Sequence, residues 1–137
     1  MPINSIEIDN STNWRKKHWA SIKENYSKAP YFRGHAGYFE DIYSREWDLL
    51  VDLCESINVY LREVMRIQTP IKFSSEMVPQ GGKDELLVDL CEKESASTYL
   101  SGVLGKKYIR ESVFERASIK VLYQDFKIPI YPQIGCT

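Results

Sequence analysis

Two scarcities narrow the chemistry before any motif is considered. Histidine occurs only twice, at His18 and His35, and cysteine three times, at Cys54, Cys91 and Cys136. No Asp or Glu stands at ligand spacing from either histidine, and no CxxC or Cys/His spacing occurs, so no metal or other cofactor is expected. The odd, dispersed cysteines favour reduced thiols in a cytoplasmic protein over a disulfide framework. Neither charge sign dominates: 18 Lys and Arg oppose 19 Asp and Glu, a formal net charge of −1. That balance gives no global pull toward nucleic acid or an anionic membrane, and nucleic acid is set aside as a partner. Long apolar runs are missing too. None approaches a membrane span and no signal peptide opens the chain, so a soluble protein is expected.

What is present suits a globular fold. The 137 residues are 43% hydrophobic and 27% charged, enough for one domain over residues 1–137 with a real core. Ile6 and Ile8 alternate with Glu7 and Asp9, which predicts an edge strand over Ile3–Ile8. The capping cluster Asn10–Asn13 then predicts a helix from about Asn13 to Tyr26, with Trp14, His18, Ile22 and Tyr26 on one stripe and Trp19 widening it. Tyr31–Gly34 reads as a turn and Tyr38–Tyr43 as a short aromatic helix. The spacing of Trp47, Leu50, Leu53, Cys54, Ile57, Leu61 and Val64 predicts the longest helix, from Ser44 or Arg45 to Met65. Cys54 and Cys91 fall on apolar helix faces and are expected to be buried, with Cys136 exposed. A short strand over Ile71–Ser74, a helix over Lys83–Glu94, a buried strand over Ser97–Ser101, a helix from the capping box at Ser112 and a strand over Ile119–Tyr123 follow. The Pro129/Pro132 segment reads as an extended tail. The expected fold is α/β: a short parallel or mixed sheet, a helix-rich N-terminal half and a strand-helix-strand-helix-strand C-terminal half.

Three stretches carry candidate chemistry. Trp14-Arg15-Lys16-Lys17-His18-Trp19 interleaves cations with aromatics near a helix start, a combination that binds phosphate and stacks on a ring. A solvated basic face beside an aromatic core stripe explains the same residues. His18 is the acid/base candidate, against a half-buried helix histidine as the plainer reading, and His35 reads as a polar turn residue. The loops Pro79–Lys83 and Ser101–Tyr108 each follow an expected strand, so both should lie on one edge of a parallel sheet. Their glycines permit close backbone approach and Lys83, Lys106 and Lys107 supply charge for an anion. Neither matches a nucleotide-binding fingerprint, and turns need glycine as well. No carboxylate pair or nucleophile elbow argues for covalent catalysis.

Asn13–Trp19, Tyr26–Phe32, Thr98–Gly102 with Gly105–Tyr108, and Tyr131–Gln133 together resemble the WbqC-like proteins, in the same order along nearly the whole chain. The resemblance implies a link to bacterial O-antigen and surface-polysaccharide synthesis, with glycyl or other acyl transfer to a sugar amine or hydroxyl. The family pattern also includes a leading strand with a His-Gln-Pro-Asn-Tyr-type loop and a final helical region. Neither is found here, so the chain is expected to be truncated at both ends, with sheet edges and apolar faces that a homo-oligomer would cover.

The leading expectation is therefore a ligand-binding domain for a phosphorylated sugar or nucleotide-sugar. Arg15, Lys106 and Lys107 would meet phosphate, Gly102 and Gly105 would admit it closely, and Trp19, Tyr99 or Tyr108 would pack on a ring. His18 would be the catalytic acid/base. The alternative is a truncated, non-catalytic remnant that serves as an oligomeric or partner-binding module, suggested by the 12% aromatic content.

Overall fold

The computed structural model describes residues 2–131 and divides into two compact units, residues 2–69 and residues 70–130. The expectations for Cys136 and for Pro132 and Gln133 lie outside the described residues.

The first unit is built on three helices, α1 (Trp14–Tyr26), α2 (Phe32–Ser44) and α3 (Leu50–Val64). α1 lies where its stripe predicts. α2 is longer than expected: it runs through Gly34 and Gly37, both with open space where a Cβ would be, so the predicted turn is its first turn. Its inward residue Ile42 and Leu53 of α3 are the buried apolar side chains of this unit.

The expected strand at Ile3–Ile8 does not form. Ile3–Ser5 is a 3₁₀ turn, and only Glu7 pairs, in an isolated antiparallel bridge with Leu49. That bridge also corrects the start of α3. The Ile8 N–H donates to the Asp48 carbonyl at 2.8 Å and the Leu50 N–H to the Ile6 carbonyl at 2.9 Å, so Leu49 stays extended and the helix waits until Leu50. Trp47 closes the corner, its Nε1 donating to the Ile42 carbonyl at 2.9 Å while its own carbonyl accepts from Asn10 at 2.9 Å.

The second unit packs α4 (Ser74–Met77), α5 (Asp84–Lys93) and α6 (Glu111–Arg116) with two strands, β1 (Thr98–Ser101) and β2 (Lys120–Tyr123). The strands are parallel, as the strand-helix-strand order requires, with Thr98 opposite Lys120 and Ser101 opposite Tyr123. The α/β expectation thus holds as a helix-rich fold with a small parallel sheet. The strand expected at Ile71–Ser74 is absent: Phe73 is extended but has no strand beside it, and Ser74 already begins α4.

Val88 and Cys91 of α5, Val113 and Phe114 of α6 and Ile119 form the core, and Tyr99 stacks on Phe114 at 5.2 Å. Cys91 is buried as its face predicts, and burial pushes its thiol pKa up. Cys54 is exposed on α3, against expectation, because Leu53 takes the inward position of that turn.

The strand pair is not buried on both faces. Tyr99 and Val121 turn to the core while their neighbours Leu100 and Leu122, opposite each other in register, remain 59% and 42% exposed. Among the described residues no helix is long and apolar enough to cross a membrane, and no three His, Cys, Asp or Glu side chains cluster as metal ligands would.

Candidate functional site

The candidate residues fall into two sets, one in each unit. In the first, His18 lines a cavity of about 350 Å³ between the start of α1, the end of α2 and the start of α3. The four-residue repeat of the α1 stripe places Trp14 one turn before His18, and α2 brings Tyr43 against both. The three rings meet edge to face: Trp14 and His18 centroids lie 5.4 Å apart, His18 and Tyr43 5.9 Å, Trp14 and Tyr43 6.2 Å. Such perpendicular contacts fix ring planes without filling the space beside them.

Asp9 and Thr12, from the turn before α1, complete the polar side of the cavity. Asp9 Oδ1 accepts from the Ser11 hydroxyl at 2.5 Å and the Ser11 N–H at 2.9 Å, and these bonds hold its carboxyl below the usual carboxylate value. Tyr43 is half-buried and its phenol pKa is raised by loss of water. The Trp14 indole N–H is buried with no hydrogen-bond partner among the described residues. One carboxylate, one hydroxyl, one imidazole and two aromatic walls therefore share a small space.

Arg15 and Trp19 flank this cavity in sequence but do not line it. Arg15 Nη1 donates to the Arg45 carbonyl at 3.0 Å and Nη2 to Glu46 at 3.3 Å, so the guanidinium ties the start of α1 to the segment before α3. Trp19 stacks on Phe32 at 6.1 Å and carries the Lys23 ammonium 5.2 Å from its ring centre.

The second set sits on the loop after β1. Val103–Lys107 is a 3₁₀ turn directly beyond the carboxyl end of the strand. Gly102 leads it with nothing within 4 Å of its Cβ position, so its backbone is open to an approaching group. Gly105 is different. A Cβ there would stand 2.0 Å from Ser101 Oγ and 2.9 Å from Ile109 Cδ1, so its lack of a side chain serves internal packing. Lys106 lies over the ring of Tyr123, 5.4 Å from its centre, and Tyr123 donates its hydroxyl to Glu111 at 2.8 Å. Lys107 and Tyr108 are exposed, whereas Tyr99 is half-buried against the core with its phenol pKa raised, burial being the main cause.

The other glycine loop does not share that edge. Pro79–Lys83 follows α4 rather than a strand, and leads into α5. Gly81 adopts φ +80°, a left-handed turn conformation that glycine takes without cost.

Asp9, Thr12 and Tyr43 were not singled out by sequence spacing, because a turn and a second helix deliver them. His35, read as a surface turn residue, is half-buried in α2 and its Nδ1 lies 2.7 Å from the Tyr60 hydroxyl.

Comparison with known proteins follows the same segments. The model of the WbqC-like protein family matches residues 1–137. An uncharacterized protein of Mycobacterium tuberculosis is 32% identical over 117 residues, which cover 84% of this chain and 50% of that protein. The chain thus spans about half the length of the curated relative it matches. No solved structure matches it.

Proposed function

The chain belongs to the WbqC-like protein family, and from that premise we propose that it binds a phosphorylated sugar or nucleotide-sugar in the cytoplasm and takes part in glycyl or acyl transfer to it. The observation that carries this reading is the cavity holding His18 with Asp9, Thr12, Trp14 and Tyr43. Sugar rings present apolar faces and a rim of hydroxyls. Aromatic walls suit the faces, and a carboxylate with a hydroxyl beside it suits the rim. His18, the imidazole of that cavity, is then the acid/base group.

The second unit, taken by itself, carries on the loop after β1 groups that suit a phosphate. Gly102 is open to close approach, and Lys106 and Lys107 are exposed at the carboxyl end of a parallel strand, where ligands of such sheets bind. Arg15, whose guanidinium is already engaged within the protein, is assigned a positioning role.

Thermal-shift titration with UDP-, dTDP- and GDP-sugars tests the reading, because a ligand that binds only the folded chain raises its Tm. At least one sugar should raise Tm in a saturable way, and Lys106→Ala/Lys107→Ala should weaken the effect. His18→Ala should remove any turnover. A flat response to the whole panel at millimolar ligand overturns the proposal.

A second reading, a module that works by associating with itself or a partner, is favoured by the exposed face of Leu100 and Leu122.

A further inference from the structure

We propose that a second cavity of the first unit, between the end of α1, the start of α2 and the end of α3, binds a planar aromatic small molecule carrying one hydrogen-bonding group. It is an open groove of about 390 Å³, in the size class of small-molecule sites. Its lining contains no Lys, Arg, Asp or Glu. A phosphate or an ammonium group would find no counter-charge there, so this is not a second copy of the sugar-phosphate chemistry proposed above.

The walls are rings at right angles. His35 stands edge-on to Tyr60 (6.1 Å, 80°) and so does Phe39 (5.9 Å, 83°). Tyr38 stacks on Tyr60 at 3.6 Å and 5°, which holds that ring in place. Phe32 adds a further ring, Tyr26 and Tyr31 line the groove while remaining largely exposed, and Ile22, Leu61 and Val64 supply aliphatic surface. A flat ligand gains stacking and edge-to-face contacts in such a groove, whereas a hydrocarbon chain gains area alone.

His35 is the polar handle. Its Nδ1 is taken by the Tyr60 hydroxyl at 2.7 Å, and its Nε2 makes no hydrogen bond among the described residues. With Nδ1 paired, the tautomer makes Nε2 either a donor or an acceptor, never both. The Tyr60 hydroxyl can itself donate or accept, so either form of Nε2 can be matched by a single hydrogen-bonding group on the ligand.

Three bicyclic probes of similar shape separate the alternatives: indole offers an N–H, quinoline offers a ring nitrogen, and naphthalene offers neither. Titrated into the intact chain and followed by calorimetry and by the methyl NMR signals of Ile22, Leu61 and Val64, one of the first two should saturate at one site per chain. It should bind roughly tenfold more tightly than naphthalene, the scale of one net hydrogen bond. His35→Phe should erase that preference, and Ala29→Phe should block all three probes by filling the space. If either variant fails to fold, the affinity order on the unaltered chain decides. Absence of saturable methyl shifts, or equal affinity for all three probes, overturns the proposal. So does tighter binding of decanoate, which would make the site a hydrocarbon sleeve. Methyl shifts that track protein concentration alongside a doubled mass would assign the cavity to a second copy of the chain and overturn it too.

Discussion

Asp84 is a carboxylate only 5% exposed, yet it sits in the first turn of α5. Its Oδ2 accepts from Arg110 Nε at 2.8 Å and from the Arg110 backbone N–H at 3.3 Å, while Glu85 takes Arg110 Nη2 at 2.9 Å. The Arg110 side-chain bond is the main reason the Asp84 carboxyl lies below its ordinary value of 3.8. A carboxylate depressed in the folded state adds stability at pH above the unfolded value, and that stability is lost as pH falls through the folded value. Asp84→Asn should therefore lower the urea midpoint at neutral pH, and the gap to the unaltered chain should shrink as pH drops from about 5 downward. A gap that stays constant with pH would show the carboxylate's charge to be irrelevant. The capping box expected at Ser112 is not used: α6 begins earlier, at Glu111, after Arg110 and with no side-chain cap, while the Arg110 N–H itself donates to Asp84 of α5. Site residues follow a similar division. His18 and Trp14 were legible because one helical stripe carries both. Asp9, Thr12 and Tyr43 were not, because a turn and the end of α2 bring them in.

At the scale of elements, the junction of β1 with its 3₁₀ turn shows what a glycine does here. The Gly105 N–H donates to the Gly102 carbonyl at 2.9 Å, and the Gly105 carbonyl accepts from Tyr108 at 3.1 Å and Ile109 at 2.9 Å. Ser101 is 4% exposed and directly faces the missing Cβ. Gly105→Ala should cost about 1–3 kcal/mol by overpacking. Removing the opposing hydroxyl in Ser101→Ala/Gly105→Ala should recover part of that loss, a non-additivity readable by chemical denaturation. Additive costs would mean that the two residues do not meet. Fold legibility follows from the same distinction between local pattern and tertiary partner. The existence of α1, α3 and α5 was legible in local pattern, though Asn13 makes no side-chain cap and α3 starts only at Leu50. Ile6 and Ile8 alternate as well as any strand, but a strand needs a neighbour and only Leu49 provides one. Ile71–Phe73 fails for the same reason. The exposed glycines of α2 concealed a helix stabilised by its aromatic face, including Tyr38, whose hydroxyl donates to the Ser56 carbonyl at 2.7 Å.

At the scale of the molecule, the second unit holds a sheet that is incomplete by the usual rules. Two-stranded sheets are marginal, and parallel ones are normally covered on both faces. Here one face packs on Phe114 and Val88, while the other shows Leu100 and Leu122 side by side, with Val103 and Leu104 of the adjoining turn also exposed. Phe126, Ile128 and Ile130, beyond β2, are exposed as well. An exposed apolar sheet face beside unpaired strand edges marks an association surface. The chain at tens of micromolar should therefore run in size-exclusion chromatography with light scattering as a multiple of 16.0 kDa. Leu100→Glu/Leu122→Glu places two like charges directly opposite each other on that face and should return the species to a monomer. Its helical circular dichroism should remain, because neither side chain belongs to the buried core. Two outcomes would count against the surface: a clean monomer for the unaltered chain, or an oligomer indifferent to the double substitution. The variant also separates the two functional readings. If it still gives the nucleotide-sugar thermal shift as a monomer, binding belongs to the single chain, and association is an independent property of the exposed sheet.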